Sequence, residues 1–146
     1  AGSRLRRGWA VGLAALAVVG VGFVVARVSV VDRFVTEVRY IRSTHDDLAA
    51  LLADPAVQRG RACGPVTLPN YRLVPDTRWI LDASQREVGA RSARRREHGV
   101  ALFYADLKSL KRFGFAQGTN PSTNAPDPGF ALVARDGHFA AYVSCP

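Results

Sequence analysis

Two apolar patterns of different period organise this chain. The first is unbroken: Gly8 to Ala26 is a run of 19 residues without a charge, rich in Ala, Val, Leu and Gly. As a helix rising ~1.5 Å per residue it is about 28 Å long, close to the hydrocarbon thickness of a bilayer. Val28 to Val31 extend it beyond Arg27, whose guanidinium can snorkel to the headgroups, and Trp9 stands where an interfacial aromatic stands. One transmembrane helix with a basic flank is expected over residues 1–31. A cleaved signal peptide is the alternative, with Arg4, Arg6 and Arg7 as its basic region and Val24-Val25-Ala26 as its cleavage site. Against it, the apolar region exceeds the usual ~7–15 residues and a helical pattern follows at once. Gly8 and Gly12, with Ala10 and Ala14, have the small-residue spacing that lets membrane helices approach closely, a spacing that Gly- and Ala-rich spans also reach by chance.

The second pattern is amphipathic. Phe34, Val38, Ile41, His45, Leu48 and Leu52 recur at steps of four and three, with Glu37, Arg39, Arg42, Asp46 and Asp47 between them. Only His45 interrupts the stripe. A connector over residues 32–62 follows from this, helical to about Ala53. Thr44 with Asp47 offers an alternative helix start. The stripe would either pack on its own domain or dimerise as a stalk, and its length is short for a coiled coil. Asp54-Pro55 reads as an N-cap and first residue of a second short helix ending near Arg61.

Beyond Cys63 the periods shorten. Cys63-Gly64-Pro65 ends the helix, and Pro69 and Pro75 bracket an irregular or edge-strand stretch. A helical turn over Pro75–Leu81 carries Trp79. Strands are expected over Val88–Ser92 and, buried, over Val100–Tyr104, with a charged turn over Arg94–Gly99. Asp106 should cap a helix presenting Leu107, Leu110 and Phe113 and closed by Gly114. Gln117–Gly129 is a long Pro-, Asn-, Thr- and Ser-rich loop, either a lid or a connection. Phe130–Arg135 and His138–Ser144 flank Asp136-Gly137, the strongest hairpin signal of the chain. The fold class is therefore a membrane-anchored α+β protein. Residues 63–146 form a small domain with short helices and a mainly antiparallel sheet of about three to five strands.

Composition adds a compartment. Of 146 residues 20 are Lys or Arg and 12 are Asp or Glu, a formal charge of +8. Basic residues stand on both sides of the span, so the positive-inside rule gives a near balance, with the denser cluster at the N-terminus. The two cysteines, Cys63 and Cys145, sit at the ends of the small domain. A bridge between them would add roughly 4–5 kcal/mol of loop-closure stabilisation to a marginal core and would persist only in an oxidising compartment. This places residues 32–146 outside the cytoplasm, on a protein of the cell membrane. Two free buried cysteines are the alternative, and with them a cytoplasmic domain touching anionic lipid.

Candidate chemistry is sparse. His45, His98 and His138 lack metal-ligand spacing, so no metal site or cofactor is expected. Asp46, Asp47, Asp76 and Asp82 are scattered acids of the kind usually solvated. No nucleophile motif, P-loop or dinucleotide fingerprint occurs. Arg91, Arg94, Arg95 and Arg96 form the one dense basic cluster, suited to a phosphate or lipid headgroup, or else a solvated turn. Nucleic acid is not an expected partner: without Arg4, Arg6, Arg7 and Arg27 the charge falls from +8 to +4, and no aromatic-interleaved basic platform is visible.

The run Cys63-Gly-Pro-Val-Thr-Leu-Pro-Asn-Tyr-Arg-Leu-Val-Pro75, then Trp79 and Val88-Gly-Ala-Arg-Ser92, carries a resemblance. It resembles the C-terminal extracytoplasmic tail of integral-membrane glycosyltransferases of the GT-C type from high-GC bacteria, which use polyprenyl-phosphate-linked sugars. The Arg-rich composition, 18 Arg to 2 Lys, fits such a genome. The resemblance spans roughly Gly8 to Pro146. It implies the non-catalytic end of a polytopic enzyme, packed against other transmembrane helices of the same protein and near a polyprenyl-phosphate-linked sugar. The catalytic acid of such enzymes lies in an early outer loop, and no residue here matches it. The absence of methionine is read as truncation of a longer chain, or as removal of an initiator before Ala1. The alternative function is a complete single-pass, membrane-anchored binding or accessory module.

Overall fold

In the computed structural model residues 2–114 and 124–146 are described. The chain forms two compact units, residues 1–41 and 42–146.

The first unit is helical and belongs to α1 (Gly2–Ala53). Its apolar side chains are open: Leu16 is 70% exposed and Phe23 62%. No neighbour lies within 4 Å of where a Cβ would stand on Gly8 or Gly12. This helix is long and apolar enough to cross a membrane. Thr44 starts no new helix; α1 runs through it.

The second unit begins with the last turns of α1, where the amphipathic stripe becomes a core face. Leu48, Leu51 and Leu52 are buried, while Phe34, Val38 and Ile41 of the same stripe, in the first unit, are exposed. Asp54 then caps α2 (Pro55–Arg61), its carboxylate accepting from the Ala56 N–H at 2.7 Å. Val57 and Gly60 form its buried face. A Cβ on Gly60 would lie 2.5 Å from Val143 Cγ2, so only glycine lets this helix lie so close to the sheet.

Five strands follow: β1 (Val66–Leu68), β2 (Val88–Ala90), β3 (Gly99–Tyr104), β4 (Ala131–Asp136) and β5 (Phe139–Ser144). Their order is β2-β1-β3-β5-β4. The expected mainly antiparallel sheet is corrected to a mixed one. β1 pairs in parallel with β2 and with β3, and β5 pairs antiparallel with β3 and with β4. The parallel half arises because α3 (Val74–Leu81) carries the chain from β1 back to the start of β2. The return from β2 to β3 needs only residues 91–98, because three-residue strands span only about 10 Å. β1 itself lies inside the sheet, fully buried between Pro65 and Pro69.

The hairpin is present, shifted by one residue. Asp136 pairs with Phe139, so the two-residue loop is Gly137-His138 rather than Asp136-Gly137. Gly137 has φ 43°, and glycine at the first central position is the requirement of a type II′ turn. The helix after Asp106 is also revised. Asp106 caps a single turn, α4 (Leu107–Ser109), which widens into a π-turn over Leu110–Gly114. Leu107 is therefore exposed, while Leu110 and Phe113 pack on the core and Phe113 stacks on Tyr104 at 5.9 Å. Of the Gln117–Gly129 loop, residues 117–123 lie outside the described residues.

Candidate functional site

The basic cluster divides into members with opposite roles. Arg91 follows β2 and continues its ladder, its N–H donating to Leu68 O at 2.7 Å. Its side chain is wholly buried. Nη2 donates to Asp127 Oδ2 at 2.7 Å and to Ala125 O at 3.3 Å, and the guanidinium lies 5.0 Å from the Phe103 ring centre. Among the described residues Nε and Nη1 are buried without a hydrogen-bond partner. Arg95 reaches the other oxygen of Asp127 at 3.2 Å. Arg91 and Arg95 thus fasten the segment around Asp127 to the sheet edge; Arg91 is structural and does not reach a ligand from solvent.

Arg94 turns elsewhere, and Arg96 borders both the hollow beside Asp127 and a second one. They line a groove of about 290 Å³ together with Arg78 from α3 and Arg86 from the approach to β2. Tyr71, 71% exposed, contributes its ring, and among the described residues no carboxylate lines the groove. Arg78 and Arg86 were not among the expected site residues. Their sequence separation from the Arg94–Arg96 run hides them; only the α3–β2 connection brings the four together. Trp79, 84% exposed, stands on the neighbouring hollow, which shares Arg78.

The histidines each take a polar partner. His45 Nδ1 lies 2.8 Å from Asp76 Oδ1, and His98 Nδ1 lies 3.4 Å from Ser144 Oγ. His138 lies between two acids: Nδ1 is 2.9 Å from Asp106 Oδ2, and its backbone N–H donates to Asp47 Oδ2 at 3.1 Å. Asp46 makes an exposed pair with Arg42 at 3.8 Å, and Asp82 ends α3 in a left-handed conformation, φ 47°. Among the described residues no group of three or more His, Cys, Asp or Glu is arranged to hold a metal ion.

Cys63 and Cys145 form a disulfide, with Cα atoms 5.2 Å apart and a sequence separation of 82. No protein-family model, no curated protein and no solved structure matches the chain. The residues of the glycosyltransferase-tail resemblance serve largely as framework. Val66, Thr67 and Leu68 form the buried β1, Arg91 is the buried cation, and Asn70 is buried with its Nδ2 donating to Phe113 O at 2.6 Å. Tyr71, Arg72, Pro75, Trp79 and Ser92 are the exposed exceptions.

Asp106 makes a prediction for acid stability. Partial burial acts to raise its pKa, and is outweighed by hydrogen bonds from the Ser109 hydroxyl and N–H and by His138, which together hold it at about 2 against 3.8. A depressed carboxylate stabilises the fold above pH 3.8, and that contribution is lost as pH falls through about 2. For a side chain one-third exposed the contribution is about 1–2 kcal/mol after solvent screening. Asp106→Asn should therefore be less stable than the wild type by that amount at pH 7. Denaturant titrations should show the gap closing between pH 4 and pH 2.

Proposed function

We propose that this chain is a membrane-anchored, extracytoplasmic module. A single span over Gly8–Ala26 would hold a disulfide-closed α+β domain outside the cytoplasm. The domain would act as the non-catalytic end of a glycosyltransferase-like membrane protein. The observation that carries the reading is the pairing of two features in one chain. A 19-residue uncharged segment sits on a helix whose apolar side chains have no protein cover, and the only two cysteines are joined. Apolar side chains exposed along such a length are stable in lipid and costly in water. A bridge of this kind persists in an oxidising compartment. The finer assignment to a glycosyltransferase rests on the resemblance over Cys63–Pro75, Trp79 and Val88–Ser92.

Fractionation tests the anchored part. The full chain should stay with membranes through alkaline carbonate extraction, and a variant with Leu13, Leu16, Val19 and Phe23 changed to Gln should be released. Release of the wild type by carbonate would overturn the anchor. Co-purification from native membranes tests the finer part: a partner or parent chain with further spans and sugar-transfer activity is expected, and recovery of the chain alone would count for an independent module.

A further inference from the structure

We propose that the arginine groove beside β2 is a binding site for a phosphoryl or diphosphoryl group. The inference is independent of membrane anchoring, because every lining residue belongs to the second compact unit. Arg78, Arg86, Arg94 and Arg96 converge on about 290 Å³ with no acidic residue among the described residues of the lining. Among the described residues Arg86, Arg94 and Arg96 have no ion-pair partner, and Arg78 commits only its Nε, to Ala83 O at 3.3 Å.

Three of the nearby acids have partners of their own, and two others stand outside the groove: Asp82 shares a neighbouring hollow with Arg78, and Glu97 another with Arg96. Glu87 accepts from the Ser84 N–H at 2.7 Å, and bonds from the Ser84 side chain and backbone lower its pKa, with the charge of Arg61 adding to them. Asp127 holds Arg91 and Arg95, and Asp76 holds His45. Four arginines lining one groove without an acid among its described lining residues repel one another there, and a multivalent anion relieves that repulsion. Their planar forks match phosphate oxygens two at a time.

The groove floor also has room. Gly89 lies in the middle of β2, and a Cβ placed on it would meet nothing within 4 Å. The neighbouring Val88 is buried in the core, so alternation along the strand turns position 89 to the groove. A side chain there would enter the anion's space without disturbing the core.

The test is calorimetric titration of the full chain in a non-ionic detergent at 0.15 M salt. The two probes are inorganic pyrophosphate and the soluble short-chain lipid dihexanoyl phosphatidic acid. Saturable binding of pyrophosphate alone identifies a free diphosphate class. Binding of the short-chain lipid alone identifies a phosphomonoester headgroup. Binding of both identifies the phosphoryl group itself; all three support the site. The triple variant Arg86→Gln, Arg94→Gln, Arg96→Gln should weaken binding at least tenfold, and Gly89→Glu alone should do the same. A charge-matched control, Arg39→Gln, Arg42→Gln, Arg59→Gln, should change it less than twofold. Saturable binding of neither probe would overturn the proposal, as would equal weakening by the control or full binding by Gly89→Glu.

Discussion

Asp127→Ala should destabilise the domain by about 3–5 kcal/mol, the cost of leaving a buried charge without its partner. Among the described residues the carboxylate is the one anionic contact of a guanidinium with no solvent exposure, at 2.7 Å. Among the described residues Nε and Nη1 of that guanidinium are buried and unbonded, and only the Ala125 carbonyl and the Phe103 ring would remain beside the charge. Arg91→Met should behave differently. It keeps an unbranched side chain over Phe103 and removes both the charge and the two unbonded donors, so its stability should stay within about 1.5 kcal/mol of the wild type. In the double variant Asp127→Ala, Arg91→Met most of the Asp127 penalty should disappear. Denaturant unfolding of the four proteins closes the cycle, and a coupling energy of about 2 kcal/mol or more is expected. Additive effects would show that the pair is not coupled.

The second large effect belongs to the disulfide. Cys63 follows α2 and Cys145 follows β5, at a sequence separation of 82. Closing a loop of this size removes enough freedom from the unfolded chain to stabilise the fold by about 4 kcal/mol. Cys63→Ser with Cys145→Ser should therefore lower the midpoint of thermal unfolding by roughly 20 °C. Reductant should reproduce that fall in the wild type and leave the double variant unchanged. Equal melting of oxidised and reduced wild type would refute the assigned role.

Much of this fold is legible in the sequence where a local signal and a packing demand agree. Asp54-Pro55 caps a helix, five apolar residues at 100–104 become a wholly buried strand, and a glycine between two apolar runs turns a hairpin. The misses are of another kind. β1 is three residues long, too short for periodicity to register, and it lies just before the Pro69–Pro75 stretch read as irregular or edge strand, which is irregular and leads into α3. It lies in the interior because Pro65 and Pro69 fall just outside it, leaving its own N–H groups free to pair. The parallel pairing follows from a crossover no local pattern encodes.

Charge was the least legible feature. Arg91 and Arg94 are three residues apart in one basic run, yet one is buried against Phe103 and the other lines an open groove. Position along β2 decides: Arg91 still pairs with β1, and the chain leaves the sheet directly after it. Asp127, 36 residues away in a Pro- and Asn-rich segment, carries no sequence sign that it is the partner. Arg78 and Arg86 join Arg94 and Arg96 only through tertiary structure.

The proposed placement of the disulfide-closed domain outside the cytoplasm is tested most directly by thiol mapping in intact cells. Cys63 and Cys145 are the only cysteines, so every label reports on this pair. A membrane-impermeant maleimide should not label the untreated cells. It should label both cysteines once a membrane-impermeant reductant and mild denaturant are applied from outside. Labelling that requires cell lysis but no reductant would place free thiols in the cytoplasm and contradict the account.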